Sequence, residues 1–473
     1  MDTFTAVIKT VDNFIWGPYL LIPLLLGTGA YLMIGLRFMP LRRIPMAFRV
    51  MWKGRKHGDE EEGELSPFNA LMTSMAATVG TGNIVGVATA ILGGGPGALF
   101  WMWCTALVGM ATKFCEATLA VKYREVTPNG SYVGGPMYYI RKGLGEKWAW
   151  LATLFAIFGA VASFGIGNMT QGNAIANNVA GVFGIPPVFT AVVLFVLIGI
   201  VLLGGVKRIG FVAGKLVPFM ALFYIILGIV ICVLNWQKIP QVFELIFTHA
   251  FTPISAAGGF AGAAVQKAIQ LGVSRGLFSN EAGMGSAPIA HATAITKHPV
   301  RQGFLGMLDP FLDTIVICTI TGVVILISGQ WLEEMPKAEA AATLTSMSFG
   351  SALPGIGQYA VTIGIILFAF TTILGWSVYG ERCVIYLFGH RAAAPFRLFF
   401  TLVIPLGALA RLDLVWDLAN IFNGMMALPN LIALLLLSPV VFRMSREYFA
   451  ERDERLRKEA LQNASGESKR KKD

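Results

Sequence analysis

The sequence AATVGTGNIVG, at residues 76–86, interrupts an apolar stretch that is long enough to cross a lipid bilayer. A second polar and glycine-rich interruption, FSNEAGMGSAP, lies at residues 278–288 within another apolar stretch. Unwound backbone at membrane depth persists only where protein encloses it or where it lines a cavity, because each unpaired N–H or C=O group in hydrocarbon costs several kcal/mol. Two such breaks therefore predict a pair of discontinuous membrane helices, an arrangement that forms the binding site of many secondary transporters.

The composition predicts an all-α polytopic membrane protein. Of the 473 residues, 55% are hydrophobic and only 14% are charged, whereas charged residues make up about 25% of a soluble protein. The five cysteines lie in or at the ends of apolar stretches without a C-x-x-C spacing, so we expect no disulfide or metal framework. The five histidines form no H-E-x-x-H or nucleophile pattern, so we predict neither an enzyme nor a bound cofactor.

Runs of about 20 apolar residues predict eleven membrane spans. The spans lie near residues 14–36, 68–92, 97–121, 148–180, 187–206, 211–234, 258–290, 303–329, 356–380, 395–410 and 414–442. Spans two to six and seven to eleven form two sets of five, and an odd number of spans makes the second set enter the membrane from the opposite side. This is the pattern of a five-plus-five inverted repeat preceded by one extra helix.

Basic residues predict the orientation. Arginine and lysine cluster after the first span and in the tail, whereas the loops on the other side hold only Lys9, Lys238, Lys337 and Arg411. Because basic loops stay in the cytoplasm, we predict a multi-pass protein of a bacterial-type inner (plasma) membrane with its N-terminus outside and its C-terminus in the cytoplasm. The net charge of +10 then faces anionic lipid, and nucleic acid has no role.

The two sets of five spans begin with breaks of similar sequence, GTGNIVGVATA at residues 80–90 and GMGSAPIAHATA at residues 283–294. We therefore predict an extra helix with a basic loop (1–66), a first repeat (67–236), a second repeat (237–442) and a basic tail (443–473). The glycines could instead serve only close helix packing, but the polar residues beside them have no packing purpose. Freed carbonyls suit a sodium ion and half-helix N-termini suit a carboxylate, so one site could hold a zwitterion and a cation.

The run GGPGALFWMWCTALVG at residues 94–109 resembles the signature of the sodium:alanine/glycine symporter family, whose members have the LeuT-type fold of the APC superfamily. Further similar segments are NALMTSMAATVGTGNIVGVA (69–88), GGPMYYIRKGLG (134–145), SRGLFSNEAGMGSAPIAHA (274–292) and FTTILGWSVYGE (370–381). One departure is Cys104, where the signature has a branched aliphatic residue or Met. The resemblance implies sodium-driven import of alanine, glycine or both by alternating access.

The same resemblance implies which residues bind each ligand. The sodium ion would take the carbonyls of Ala76, Val79 and Phe368 and the hydroxyls of Thr371 and Thr372. The substrate would contact Thr78, Gly80, Gly82, Asn83, Phe278, Ser279, Asn280, Gly283 and Thr372. From the residues alone, the two threonines of span nine could simply bond the preceding helical turn.

Two further residues are candidates for substrate contact. Gln171 lies on a polar face of span four, where it either contacts substrate or joins two helices by a hydrogen bond. Trp376 lies about one turn after the threonine pair, where it is either an interfacial anchor or the cap of a small pocket.

Charged residues inside the predicted spans lead to further predictions about ion pairs and gates. Lys113 and Glu116 are predicted to form an internal pair, and Lys267 and Arg275 are predicted to form an outer gate or to pair with Glu281. Glu281 either bonds half-helix N–H groups or carries a proton, which makes a proton-coupled transporter the alternative function. Asp309 and Asp313 form a gate with basic loop residues, or Asp313 joins a second cation site. No obligate protein partner is implied.

Overall fold

The computed structural model describes residues 2–17, 19–55, 63–252, 261–332, 340–410 and 413–470. Within these ranges the chain is almost entirely helical, and the one sheet is an antiparallel hairpin in which Glu125 pairs with Val133. Its strands are β1 (Glu125–Val126) and β2 (Tyr132–Val133).

The helices follow one another along the whole described chain. Up to the middle they are α1 (Asp2–Ile15), α2 (Leu21–Gly35), α3 (Met39–Arg42), α4 (Ile44–Lys53), α5 (Pro67–Thr78), α6 (Val85–Gly94), α7 (Gly97–Lys122), α8 (Pro136–Tyr139), α9 (Ala149–Phe164), α10 (Thr170–Phe183), α11 (Pro187–Leu203) and α12 (Gly205–Leu234). The remaining helices are α13 (Ile239–Phe251), α14 (Ala261–Asn280), α15 (Ala287–His291), α16 (Pro299–Gly306), α17 (Leu308–Pro310), α18 (Thr319–Ser328), α19 (Ala340–Ala352), α20 (Gly357–Phe388), α21 (Ala393–Leu409) and α22 (Asp413–Arg470).

Several of these helices are joined by short pieces of tighter or wider helix. The π-helical pieces are Ile140–Leu144, Gly165–Met169 and Phe311–Cys318. The 3-10 pieces are Thr81–Asn83, Glu146–Trp148, Trp236–Lys238, Gln330–Leu332 and His390–Ala392.

Many helices are long and apolar enough to cross a membrane. Among the described residues, seven such stretches are Gly97–Lys122, Glu146–Phe183, Gly205–Leu234, Pro299–Ser328, Gly357–Phe388, His390–Leu409 and Leu418–Arg455. The bent pair Pro67–Thr78 and Thr81–Gly94 makes an eighth if it is one span, and α2 and α11 are shorter apolar helices. Large apolar side chains such as Val188, Phe219 and Ile226 are exposed, as expected for surfaces that face lipid. The chain is thus a multi-pass membrane protein, and the count of eleven spans stays a prediction.

The predicted spans differ from the observed helices at both ends of the chain. The predicted first span, 14–36, was wrong at its start because α1 ends at Ile15 and α2 begins only at Leu21. The intervening sequence contains Gly17 and Pro18, which disfavour a continuous helix. At the other end, α22 continues as one helix to Arg470, past the predicted end of the last span near residue 442.

Three features of the described structure were not predicted. They are the hairpin of β1 and β2, the amphipathic helix α13 and the helix α19. A search for runs of about 20 apolar residues cannot detect helices of 13 residues.

The first break lies within the predicted 76–86 but is shorter, because α5 stays helical through Thr78 and α6 begins at Val85. Helix α5 ends at Thr78, Val79 is extended with φ −76° and ψ 90°, and the chain bends by 60° before α6. Gly80 is also extended, and its N–H donates to Asn83 Oδ1 at 2.8 Å. The asparagine side chain therefore replaces a helical partner for a backbone donor that would otherwise be unpaired in the membrane.

The second break is shorter than the predicted 278–288, because α14 remains helical through Phe278, Ser279 and Asn280. The chain leaves the helix at Glu281, which has φ +51°, and turns back at Gly283 and Gly285 with φ +91° and +83°. Glycine is the residue that adopts such conformations without a steric penalty.

Helix α20 lies beside the first break and is buried along most of its length. A β-carbon added at Gly375 would lie 2.6 Å from the backbone nitrogen of Ala77, so the backbones of α20 and α5 are in close contact. Small residues permit such approach between membrane helices. This contact places the middle of α20 against the last turn of α5.

Candidate functional site

The two breaks meet in the interior of the bundle. A β-carbon added at Gly82, in the first break, would lie 3.4 Å from Ser279 Cα and 3.5 Å from Phe278 Cδ1. Both residues belong to the last turn of α14, just before the second break. Gly82 thus allows the unwound first break to contact the last turn of α14.

A buried carboxylate joins the two breaks. Asp313 Oδ1 accepts a hydrogen bond from Asn83 Nδ2 at 2.5 Å, and Asp313 Oδ2 accepts from the Ser279 hydroxyl at 2.9 Å. Thr314 donates to the same Oδ2 at 2.8 Å, and Asn280 Nδ2 donates to the Thr314 hydroxyl at 3.1 Å. Three predicted substrate residues are therefore held through Asp313 and its neighbour on the π-helical piece Phe311–Cys318.

The other carboxylate of this region, Asp309, forms a buried ion pair with Lys113 at 3.0 Å. Its oxygens also accept hydrogen bonds from the hydroxyls of Ser74 at 2.9 Å and Thr78 at 2.7 Å. Lys113 and Asp309 are fully shielded from solvent. The substrate candidate Thr78 is thus fixed by an ion pair that links α7 to α17.

This ion pair corrects two expectations. Lys113 was predicted to pair with Glu116, whose Oε1 instead accepts hydrogen bonds from Asn430 Nδ2 and from the Gly285 N–H. Asp309 was predicted to pair with a basic loop residue, but its partner is a lysine within the bundle. The spacing of Lys113 and Glu116 along one helix gave no indication that a carboxylate from another helix lies closer.

Glu281 interacts with neutral donors. Its Oε1 accepts from Trp376 Nε1 at 3.2 Å, and its Oε2 accepts from the Ser286 hydroxyl. Among the described basic residues, neither Arg275 nor Lys267 forms an ion pair with it, so the predicted pairing with these two residues is not made.

Trp376 is buried and lies between the second break and the span that contains Gln171. Besides its bond to Glu281, it packs on the π-helical piece Gly165–Met169, since a β-carbon at Gly167 would lie 2.3 Å from Trp376 Cβ. The alternative that Trp376 anchors the protein at the lipid interface is therefore wrong, because only 1% of its surface is exposed.

Some of the predicted sodium ligands lie close together in the structure. The Thr372 hydroxyl lies 3.5 Å from the Val79 carbonyl oxygen and donates to the Phe368 carbonyl at 2.9 Å. Thr371 also bonds the Phe368 carbonyl, at 3.0 Å, but its hydroxyl otherwise faces Met220 Sδ at 3.3 Å. Both hydroxyls bond the preceding turn, and Thr372 also reaches the first break.

Gly80 also contacts Thr372. A β-carbon added at Gly80 would lie 2.5 Å from Thr372 Oγ1, so only glycine leaves space at this point. The N–H of Gly80 donates to Asn83, and the carbonyl oxygen of Val79 faces the Thr372 hydroxyl of α20 in place of a helical partner. Ala76 is buried in the last turn of α5. Oxygen atoms of this kind suit a hard cation such as sodium.

One predicted substrate residue, Gly283, lies apart from this centre. Gly283 is near α2 and α22, since its β-carbon would lie 2.5 Å from Leu25 Cδ2 and its carbonyl accepts from Asn430 Nδ2 at 2.9 Å. Its predicted place among residues that face the substrate is not supported. Gln171 donates to the Ile166 carbonyl at 3.1 Å, while its buried Oε1 has no hydrogen-bond partner among the described residues.

Sequence reasoning missed Ser74, Asn430 and the role of Asp313 as a shared acceptor. Ser74 lies one helical turn before Thr78 and could have been assigned to the same face. Asn430 is a single amide in the run LPNLIALLLL, and a lone polar side chain in a membrane helix is a signal for a buried hydrogen bond.

A small cavity lies on the other side of Phe278. It has a volume of about 110 Å³ and is lined by Asp12, Asn13, Trp16, Gln270, Leu271, Ser274, Arg275, Phe278 and Asn420. The Arg275 guanidinium carbon lies 6.0 Å from the centre of the Phe278 ring. Phe278 thus separates this cavity from the contact between the breaks.

Two discontinuous helices that meet inside an apolar bundle, with polar side chains at the junction, define a secondary transporter. The solved structure most informative on this point is that of MhsT in complex with L-phenylalanine. It aligns with a TM-score of 0.56 at 16% identity, over 81% of this chain and 98% of MhsT. This similarity shows the LeuT-type fold.

The sequence assigns the family. The model of the sodium:alanine symporter family matches residues 1–463, and the chain belongs to that family. The sodium/alanine symporter AgcS of Methanococcus maripaludis is 51% identical over 450 residues, which cover 94% of this chain and 97% of that protein. The probable sodium/glutamine symporter GlnT of Bacillus subtilis is 39% identical over 466 residues, or 97% of this chain and 95% of GlnT. The protein is therefore a transporter and not an enzyme.

Proposed function

We propose that this protein is a sodium-coupled symporter that imports a small neutral amino acid, alanine or glycine or both, by alternating access. The observation that carries the proposal is the approach of Thr372 to Val79 beside Gly80. A hydroxyl, two carbonyls and a glycine that leaves space meet where the first helix unwinds. The name of the relative AgcS, a sodium/alanine symporter, supports the same assignment.

In this proposal, sodium binds between the first break and α20. Its ligands are the carbonyls of Val79, Ala76 and Phe368 and the hydroxyl of Thr372, with Thr371 as a further ligand if its side chain rotates away from Met220. Bound sodium would then hold α20 against the end of α5. Because the ligands come from both elements, occupancy of the site would depend on how the two are arranged, which is the physical basis of coupling.

The substrate binds between the two breaks in this proposal. Its carboxylate would meet the unwound backbone at Gly80 and Gly82, where N–H groups and the start of a half-helix favour negative charge. Thr78, Asn83, Ser279 and Asn280 surround the same junction through Asp309 and Asp313. Phe278 and Trp376 are the bulky residues nearby and would limit the size of the side chain.

Gln171 is the remaining candidate for substrate recognition. Its Oε1 is buried without a partner among the described residues, and the side chain follows the π-helical piece that packs on Trp376. An unpaired buried amide oxygen costs free energy unless a ligand donates to it. We infer that the substrate ammonium group is that donor.

The topology proposed is that of the five-plus-five inverted repeat, with repeats at 67–236 and 237–442, preceded by α1 and α2. The N-terminus would lie outside and the C-terminus in the cytoplasm, since Arg42, Arg49 and Arg452 belong to one end of the bundle. The cavity behind Phe278 would then open toward the outside. In this orientation, substrate would enter past Arg275 and Phe278.

Proton coupling is the second candidate, because two buried carboxylates could carry the proton. Within the described chain, neither Glu281 nor Asp313 forms an ion pair, and each is held by neutral donors. A carboxylate without a cationic partner is costly to keep charged in a membrane.

The experiment that separates the two candidates is uptake of labelled alanine into proteoliposomes. An inward sodium gradient of tenfold adds about 1.4 kcal/mol, and a potential of about 100 mV adds roughly 2.3 kcal/mol per charge. Together they allow accumulation of several hundredfold. We expect accumulation with sodium at equal pH on both sides, and none when choline replaces sodium and a proton gradient is imposed. Accumulation driven by the proton gradient in choline would contradict the proposal.

A further inference from the structure

A cavity of about 370 Å³ lies between the end of α2, the short helix α3 and the final helix α22, and no residue of the two breaks lines it. It is lined by Gly35, Leu36, Arg37, Met39, Arg42, Arg43, Phe442, Ser445, Arg446 and Phe449. Four arginines contribute to this lining, and no acidic residue does. We call this cavity the arginine cavity.

The four arginines are not neutralised by neighbouring carboxylates. Within the described residues, none of Arg37, Arg42, Arg43 and Arg446 forms an ion pair. The acidic residues next in sequence on α22, Glu447 and Glu451, do not line the cavity, and Glu451 lines a separate cleft together with His298. The positive charge of the arginine cavity is therefore available to an external anion.

The arginine side chains are also oriented by local contacts. Arg42 donates to the Arg37 carbonyl, Arg446 Nε donates to the Phe442 carbonyl at 3.3 Å, and the Arg43 guanidinium carbon lies 5.2 Å from the centre of the Phe449 ring. Each guanidinium has five N–H donors, so these contacts leave most of them unused. Oriented guanidinium groups bind phosphate through paired hydrogen bonds.

The floor of the cavity is a tight contact between α2 and α22. A β-carbon at Gly35 would lie 2.0 Å from Phe442 Cζ, and the Tyr31 hydroxyl lies 3.1 Å from Ser438 Oγ. Beside it, Ile34 and Phe38 expose 64% and 51% of their surfaces. Exposed apolar side chains next to a basic cavity match a molecule with a phosphate head and acyl chains.

We propose that the arginine cavity binds the phosphate headgroup of an anionic phospholipid, whose acyl chains lie along Ile34 and Phe38. The four arginines supply the charge, and a lipid seated there would bridge α2 and α22 at the surface of the membrane. Anionic lipids attract basic residues that lie close to a helix end. The proposal does not depend on which amino acid or ion is transported.

The test is a binding titration of the purified full-length protein in neutral detergent, read by native mass spectrometry and by melting temperature. The ligands are phosphatidylglycerol, phosphatidylcholine and inorganic phosphate. We expect phosphatidylglycerol to bind and to raise the melting temperature, with at least tenfold weaker effects of the other two. Equal effects of phosphatidylcholine, or saturation by inorganic phosphate at similar concentrations, would overturn the proposal.

Variants locate the site. In the double variant Arg42→Gln with Arg446→Gln, the affinity for phosphatidylglycerol should fall by at least about tenfold, because each arginine near an anionic lipid contributes roughly fivefold. The matched control is Arg443→Gln, an exposed arginine of α22 that does not line the cavity, and its affinity should stay within about twofold of the original. Equal losses in the double variant and the control would place the lipid elsewhere. Elution as a single symmetric peak and an unchanged circular dichroism spectrum establish that each variant is folded.

Discussion

The hydroxyl oxygen of Thr372 lies 3.5 Å from the carbonyl oxygen of Val79, although 293 residues separate them in the sequence. Val79 is the residue that caps the end of helix α5, after which the chain unwinds, and Thr372 is in the middle of a continuous helix. A rigid helix thus presents an oxygen atom to an unwound one. The proposed coupling of sodium to substrate depends on this contact.

The space at Gly80 is the first point to test. In Gly80→Ala the new β-carbon would lie 2.5 Å from Thr372 Oγ1 and would displace the hydroxyl from the Val79 carbonyl. We expect the sodium affinity to fall by more than tenfold, or about 1.4 kcal/mol. The control is Gly86→Ala in the same broken helix, where nothing lies within 4 Å of the added carbon. Sodium titrations of alanine uptake compare them, and equal behaviour of the two variants would contradict the mapped site.

The selectivity of the pocket should depend on Phe278 and Trp376. One methylene group contributes only about 1–3 kcal/mol of discrimination, so a site for alanine must exclude larger side chains by bulk. Trp376→Leu or Phe278→Ala should therefore admit valine and leucine, while alanine binds more weakly through lost contacts. Competition of labelled alanine by a panel of amino acids measures this. If both inhibition profiles are unchanged, the wall of the pocket lies elsewhere, with the face around Gln171 as the next candidate.

The ion pair of Lys113 and Asp309 should be required for stability. Lys113→Met leaves the Asp309 carboxylate buried without a cation, which costs about 3–5 kcal/mol. Adding Asp309→Asn removes that charge and keeps one of the two acceptor oxygens that Ser74 and Thr78 use, so the double variant should recover at least half of the loss in melting temperature. A double variant that is less stable than Lys113→Met would show that the buried charge is not the cause.

Asp313 should act as the acceptor that joins the two breaks. Asp313→Ala removes the carboxylate acceptor shared by Asn83, Ser279 and Thr314, and leaves Asn83 the backbone carbonyl of residue 313 and Ser279 the weak acceptor Cys318 Sγ. Each buried group that becomes unsatisfied costs about 1–3 kcal/mol. Asp313→Asn retains one acceptor oxygen, so it should keep measurable alanine binding where Asp313→Ala has none. Binding of labelled alanine to the two purified variants tests this. Equal binding would mean that the two breaks do not need Asp313 to stay in position.

Much of the architecture could be predicted because breaks in membrane helices have a strong sequence signal. The first break lies inside its predicted range of 76–86, and it contains the glycines and the asparagine of residues 80–83, although α5 stays helical through Thr78 and α6 begins at Val85. The second break was predicted too wide, because Phe278, Ser279 and Asn280 are compatible with helix and the turn depends on the positive φ at Glu281 and Gly283. Local composition does not reveal at which residue a helix stops.

The partners of buried charges could not be predicted from spacing. Glu116 lies three residues from Lys113 in the sequence, but Asp309, 196 residues away, is the group that tertiary packing brings to the ammonium. The same holds for Gly283, whose resemblance to Gly80 did not show that it would face α2 and α22. Packing between helices determines which residues become partners, and the sequence of a single helix does not reveal that packing.

The most direct measurement is the sodium concentration that gives half-maximal alanine uptake in Thr372→Ala, with Thr371→Ala as the matched control. The structure places only the Thr372 hydroxyl near Val79, whereas that of Thr371 faces Met220. We predict an increase of at least tenfold for Thr372→Ala, a clearly smaller one for Thr371→Ala, and a lesser change in the alanine concentration required. Unchanged sodium dependence in Thr372→Ala would contradict the account, because sodium would then bind elsewhere.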